Sequence, residues 1–174
     1  GIPGIKRKED TMKYWIIAIA GGALALGLIM APEAEGRWSR GPDVDLRFAG
    51  SSTVIDVDEE TGDTSTLQVT QAKGKRGNAH LNANVVYGPV GPYEGCPVFG
   101  ADATVTWVAT YNDGSVLTGS GSGSVCTDGT VFVGDVSGEI TGSIGRFEGA
   151  SGSWEAQASV LNSAFTGTLT ADFD

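Results

Sequence analysis

The sequence predicts an all-β domain, a barrel of roughly eight antiparallel strands, preceded by one apolar helix. Glycine makes up 27 of the 174 residues, with no collagen-like repeat, which is typical of a chain with many bends. After residue 31, short runs that alternate apolar and polar residues recur about every ten to twelve residues between turn signals. That spacing predicts an up-and-down barrel or a sandwich; no amphipathic helix is predicted there.

The chain carries a formal net charge of −10 and a pI near 4.4. An acidic surface repels nucleic-acid phosphates, so we expect no nucleic-acid partner. The sequence has one histidine, His80, and no CxxC pair, so no residues have the spacing of metal ligands. We interpret His80 as a surface or rim residue. We therefore expect no metal and no cofactor.

Residues 1–13 form a basic N-terminal flank with Lys6, Arg7, Lys8 and Lys13. Met12 and Lys13 before an apolar run are a normal opening of an export signal. The sequence leaves open whether Met12 is the true start and whether the apolar run is later cleaved. In either case the basic flank predicts that the rest of the chain crosses the membrane.

Residues 14–31 contain eighteen uncharged residues, which is either a signal-peptide core or a transmembrane anchor of about 27 Å. The Ala-rich end, with Ala31 or Ala34 for cleavage, favours a signal peptide. Two features favour an anchor: Tyr14 and Trp15 suit an interfacial belt, and Gly21, Gly22 and Gly27 form a small-residue face. We expect a single-pass anchor with the C-terminal domain on the periplasmic or extracellular side, or secretion if the segment is cleaved.

Residues 32–43 are a linker by composition, and residues 44–174 are the predicted barrel domain. Trp38, between Arg37 and Arg40, is expected either to contact the membrane or a partner, or to cap an open end of the barrel. The first predicted strands are residues 44–48, 53–57 and 66–70. Between the last two lies an acidic tip, residues 58–63, which we interpret as a solvated hairpin rather than a calcium loop, since the DxDxDG spacing is absent.

Residues 73–78 predict a basic turn, and residues 80–87 a strand. The stretch 88–100 holds three prolines and predicts a loop or an edge, where Tyr93 and Glu94 would form one wall of any small binding site. Cys96 and Cys126 are the only cysteines. In an exported protein an even pair predicts a disulfide, which stabilises by roughly 3 kcal/mol through the loop it closes; two buried thiols are the alternative.

Residues 103–111 predict a strong strand with Val105, Trp107, Ala109 and Tyr111 on one face. After an Asn-Asp-Gly turn, residues 115–126 read as a Gly/Ser strand that bends or receives a neighbouring aromatic ring. Residues 130–133 and 138–140, then 153–160 and 164–173, complete the predicted strands. Residues 141–152, TGSIGRFEGASG, predict two Gly turns around a short strand, with Phe147 plugging the core.

The run 140–173 resembles the closing half of the allene oxide cyclase and dirigent type of barrel. The positions that carry the resemblance are Thr141-Gly142, residues 145–150, residues 151–153 and residues 165–168. Ser143-Ile144 departs from the usual Gly-Thr. The resemblance implies an eight-stranded antiparallel barrel, often oligomeric and sometimes with an apolar lumen. It transfers no catalytic residue.

Two functions of different classes follow. The first is a non-catalytic, membrane-anchored barrel that acts as an accessory subunit of a larger membrane complex, for example an energy-converting one. The second is a barrel that binds a small apolar ligand, or acts as a cyclase or isomerase, with a candidate lining of Trp107, Tyr111, Phe132, Phe147 and Trp154. These aromatics would equally serve as plain core. A Ser/His/Asp hydrolase has no supporting pattern; the sequence leaves open whether the protein is an enzyme and favours that it is not.

Overall fold

The computed structural model describes residues 43–174, and every structural statement below concerns that part of the chain. The predicted contacts of Tyr14, Trp15, Gly21, Gly22, Gly27 and Trp38, and the predicted helix over residues 14–31, lie outside the described residues. Within residues 43–174, no helix has the length and apolar character needed to cross a membrane.

Eight antiparallel strands close into one barrel in which each strand pairs with its neighbours in sequence and the last pairs with the first. This confirms the predicted all-β, eight-stranded antiparallel fold. In order, the strands are β1 (Val44–Val57), β2 (Thr64–Gly74), β3 (Gly77–Tyr87), β4 (Phe99–Tyr111), β5 (Val116–Thr127), β6 (Val131–Ile144), β7 (Gly152–Leu161) and β8 (Ala164–Phe173).

Several short predicted strands are parts of longer ones. The runs 44–48 and 53–57 belong to the continuous strand β1. Gly50 lies between them, where a Cβ atom would overlap the carbonyl oxygen of Val69 on β2. A glycine at this position lets the backbones of β1 and β2 approach closely, so the strand continues instead of ending. The runs 130–133 and 138–140 likewise merge into β6.

The stretch 141–152 differs from the prediction in one respect. Strand β6 continues to Ile144, and residues Gly145–Phe147 then form a single 3-10 turn instead of a short strand. Gly145 and Gly149 have φ values of 71° and 79°, which suit glycine best. The turn carries Phe147 inward, where it is 4% exposed, so Phe147 does plug the core.

The barrel has two unlike ends. The end formed by the turns after β2, β4 and β6 is called the closed end, because Phe147 fills it. Its ring lies 4.9 Å from that of Tyr111 and 6.1 Å from that of Phe173. The Arg146 guanidinium lies 4.4 Å from the centre of the Tyr111 ring and pairs with Asp113 at 2.9 Å. The end formed by the connections after β1, β3, β5 and β7 is called the open end.

The Cys96–Cys126 disulfide predicted from the sequence is present at the open end. It ties the β3–β4 loop to the end of β5 across a sequence separation of 30 residues, with the two Cα atoms 5.2 Å apart. Tyr93 of the same loop donates a hydrogen bond to Asp102 at 2.6 Å. The proline-rich loop is therefore held against the barrel wall at two points.

Replacing both cysteines by alanine should lower the free energy of unfolding by about 3 kcal/mol, because the unfolded chain regains the entropy of an open loop. Chemical denaturation of the wild type and of Cys96→Ala/Cys126→Ala measures this. Equal unfolding midpoints with equal slopes would show that the bridge adds no stability.

Candidate functional site

The barrel interior is lined mainly by alternate residues of each strand, as the pleat requires. On β4, Val105, Trp107, Ala109 and Tyr111 are all buried, which confirms the predicted shared face. At mid-barrel, the rings of Trp107 and Trp154 meet edge to face at 5.6 Å. The Trp154 indole N–H donates to the carbonyl oxygens of Ser120 and Glu139, at 3.2 and 3.1 Å. This Trp pair separates the filled closed end from the open half.

Strand β5 makes room for that pair by presenting glycine to the interior. A Cβ atom on Gly119 would lie 2.6 Å from the Trp107 ring, so the indole lies directly on the backbone. This is the arrangement predicted for the Gly/Ser strand. A bulge beside the same glycine, between Thr118 and Gly119, increases the local bend.

An apolar cavity of about 60 Å³ remains in the open half of the interior. Its walls include Trp107, Trp154 and Phe132, together with residues of all the other strands except β2. A cavity of about 150 Å³ holds benzene, so this one is too small for a ring of that size. It would accept a methyl group or a short alkyl tail.

A second and larger space of about 450 Å³ forms the mouth at the open end. Its lining includes residues 51–54 of β1, Gly88 and Val90 of the β3–β4 loop, and Ser163 of the β7–β8 turn. The mouth and the cavity share three lining residues, Tyr87, Phe132 and Val160. We call these three residues the neck. The rings of Tyr87 and Phe132 lie 6.4 Å apart.

Polar side chains line the interior along β2, which reverses the usual pattern of a half-buried strand. Thr66, Gln68 and Thr70 are buried, whereas Leu67 and Val69 are 41% and 52% exposed. Gln68 donates to the Thr66 hydroxyl at 3.0 Å, and Thr66 donates to the Val85 carbonyl at 3.2 Å. The Gln68 Oε1 atom is buried and has no hydrogen-bond partner among the described residues. Such a group is costly unless something else satisfies it.

Tyr87 connects this polar cluster to the neck. Burial raises the pKa of its phenol above the ordinary value, while the Thr66 and Gln68 side chains act in the opposite direction. The phenol is therefore neutral at physiological pH and available as a hydrogen-bond donor or acceptor. Among the residues lining the cavity, Tyr87 is the one with a titratable side chain.

The five candidate lining residues separate into two groups. Trp107, Phe132 and Trp154 line the cavity. Tyr111 and Phe147 pack against each other at the closed end with their rings tilted by 50°, and neither is among the residues that line the cavity. The β3–β4 loop contributes Gly88 and Val90 to the mouth, whereas Tyr93 and Glu94 are not in the lining.

The remaining sequence candidates lie outside the interior. His80 is exposed on β3, as the surface interpretation predicts. In the acidic tip, the Asp58 carboxylate accepts backbone N–H groups of Glu60 and Thr61 at 2.8 and 3.2 Å. These hydrogen bonds, chiefly the one from Glu60, lower the pKa of Asp58. The Asp58 carboxylate therefore stabilises its own turn.

Sequence reasoning missed the neck residues Tyr87 and Val160 and the polar cluster on β2. The available signal was the alternation of Thr66, Gln68 and Thr70 with apolar residues. Taken alone, that alternation would place Leu67 and Val69 inside.

Comparison with known proteins adds no relative. No protein-family model matches the chain, and neither a curated protein nor a solved structure matches it significantly.

Proposed function

We propose that this barrel is a binding protein that receives a small apolar molecule through its open end. One observation carries the proposal: the apolar cavity and the mouth meet at the neck formed by Tyr87, Phe132 and Val160. Pockets for small molecules are concave, mostly apolar and supplied with a few polar groups that fix orientation. Here Thr66 and Tyr87 supply those groups at the mouth.

The two volumes limit the ligand. The cavity admits only a narrow part of the molecule, and the mouth must hold the rest. The lining of the mouth carries hydroxyl groups and no charged side chain, so an uncharged ligand fits it best. Burying a charge there would cost several kcal/mol without a partner.

A binding role fits the chemistry of the interior better than catalysis does. The buried polar residues among the described ones are four hydroxyl residues and Gln68. General acid–base catalysis needs a group whose pKa lies near the working pH. Tyr87 has its pKa moved upward, away from neutrality.

We propose two further points, one about the family of the protein and one about its location. The first is that the chain is related to the allene oxide cyclase and dirigent type of barrel. Two observations support this: the sheet closes with eight strands, and residues 141–153 carry the motif, within which Phe147 fills the closed end. Location on the periplasmic or extracellular side is supported by the disulfide, since such bonds persist in oxidising compartments.

A second candidate function is that of an accessory subunit of a larger membrane complex, held by residues 14–31. The observation in its favour is the uncharged run with Gly21, Gly22 and Gly27 on one side, which suits helix packing in a bilayer. Both functions are compatible, because a membrane-held barrel is also able to bind a ligand.

Blocking the neck should weaken ligand binding. We expect Val160→Trp to weaken binding of the uncharged fluorescent probe 6-propionyl-2-(dimethylamino)naphthalene, whose short propionyl tail suits the cavity, at least about tenfold, which corresponds to about 1.4 kcal/mol. The matched control is Val133→Trp, which adds the same ring on the outward face of β6, where Val133 is 52% exposed. Equal probe affinity in both variants would contradict binding through the open end.

The anchor is tested separately by the intact mass of the native protein from membranes. Retention of residues 14–31 is expected for the accessory subunit. A mature chain that begins near residue 32 or 35 and is released from the membrane would contradict that role, and would leave the ligand-binding proposal unaffected.

A further inference from the structure

Strand β1 extends past the strand that closes the barrel. Its pairing with β8 ends at Ser51 and Ala164, and the Ser52 N–H makes one more bond, to the Ser163 carbonyl at 2.8 Å. From residue 53 to residue 57, β1 pairs with β2 on one side, and no described strand pairs with its other side. We call residues 53–57 the free edge.

The free edge presents hydrogen-bonding groups to an incoming strand. Backbone N–H groups alternate in direction along a strand, so the Val54 N–H points the same way as that of Ser52, away from β2. A bulge between Val54 and Asp56 leaves Ile55 as the extra residue. Unpaired edges of this kind are templates for strand addition.

The side chains of the free edge are apolar and exposed. Val54, Ile55 and Val57 are 58%, 56% and 54% exposed, which places three large exposed apolar side chains within four residues. Val54 also lines the mouth, and Ser163 and Val160 are further lining residues of that space. A strand added along β1 would therefore run beside the mouth, where there is room for it.

The negative charge around the free edge indicates which kind of partner would bind there. The free edge continues into the acidic tip, and residues 56–63 contain Asp56, Asp58, Glu59, Glu60 and Asp63. No lysine or arginine occurs between residues 48 and 72. The whole chain carries a net charge of −10, so a second copy is repelled whereas a basic segment is attracted.

We propose that the free edge of β1 binds an extended segment of a partner protein in which apolar residues alternate with lysine or arginine. Residues 53–57 offer about 17 Å of strand. Apolar side chains of the partner would contact Val54 and Val57, and its basic side chains would lie beside the acidic tip. This interaction does not require the proposed ligand, because it uses the backbone of β1, although the two sites adjoin at Val54, which also lines the mouth.

The test uses the full-length chain and two labelled eight-residue probe peptides. One alternates lysine with valine, and the other has the same lysines with glycine in place of valine. We expect the valine peptide to bind at least about tenfold more tightly than the glycine peptide, because only the first has high strand propensity. Its affinity should also fall as salt concentration rises. Equal affinity of the two peptides would show that charge attraction alone accounts for binding, and would overturn the proposal.

Three variants locate the site. Val54→Pro removes the outward N–H and should weaken binding of the valine peptide at least about tenfold, while Val54→Ala, which keeps the N–H, should weaken it less. Glu59→Gln/Glu60→Gln should weaken binding, and the matched control Glu139→Gln/Glu155→Gln, on the outer faces of β6 and β7, should not. Unchanged binding in Val54→Pro would overturn the proposal.

If Val54→Pro does not fold, the same question is answered with the wild type by measuring amide hydrogen exchange with and without the valine peptide. The valine peptide should slow exchange at Val54 at least about tenfold, since a paired amide is protected. No change in exchange at Val54 would overturn the proposal. Protection of Val54 without peptide, together with a dimer in sedimentation, would show that a second copy is the occupant instead.

Discussion

An eight-stranded barrel has an interior about as wide as the side chains that fill it, and this limit governs the rest of the structure. The filling is uneven along the barrel. At the closed end, the 3-10 turn inserts Phe147 against Tyr111, and Arg146 lies over both rings. At mid-barrel, the Trp107–Trp154 pair occupies the space that Gly119 of β5 leaves. Beyond the pair, the side chains do not fill the interior completely, and an apolar cavity remains.

The two ends of the barrel consequently have different tasks. The closed end is built from short turns and an Arg146–Asp113 ion pair, features that favour a single packed arrangement. The open end has the long proline-rich loop, the disulfide and the extended β1–β2 hairpin. Loops held by a rigid sheet are where binding groups usually lie. Both proposals, a ligand at the mouth and a strand on the free edge, therefore concern this end.

Strand β2 shows where local pattern and overall fold disagree. Its apolar Leu67 and Val69 face solvent while Gln68 is fully buried. The register of the sheet fixes this orientation. Ala72 of β2 pairs with the buried residues Phe48 and Ala79 and therefore points inward. Because side chains alternate along a strand, Thr70, Gln68 and Thr66 must point inward as well. Departures of this kind are expected at functional positions. The unpaired Gln68 Oε1, close to the neck residue Tyr87, is consistent with that expectation.

The fold class was predictable from the sequence because it depends on alternation and turn residues, which are local. The β4 face and the plugging role of Phe147 were predictable for the same reason, and the disulfide because only two cysteines exist. The continuity of β1 was not predictable, since Gly50 reads as a break unless the neighbouring strand is known. The neck as a whole was not predictable: Phe132 and Val160 are paired on neighbouring strands, but Tyr87 comes from β3 and meets them only because the barrel closes.

Xenon binding tests the central claim, that the interior is filled at the closed end and keeps an apolar cavity in the open half. Xenon enters apolar cavities without a specific contact. Under xenon pressure, methyl NMR signals of Leu81, Val105 and Val160, which line the cavity, should shift. Those of Val44, Leu46 and Leu117, which are at most 1% exposed and do not line it, should stay unchanged. Shifts at the second group, or none at the first, would contradict the account.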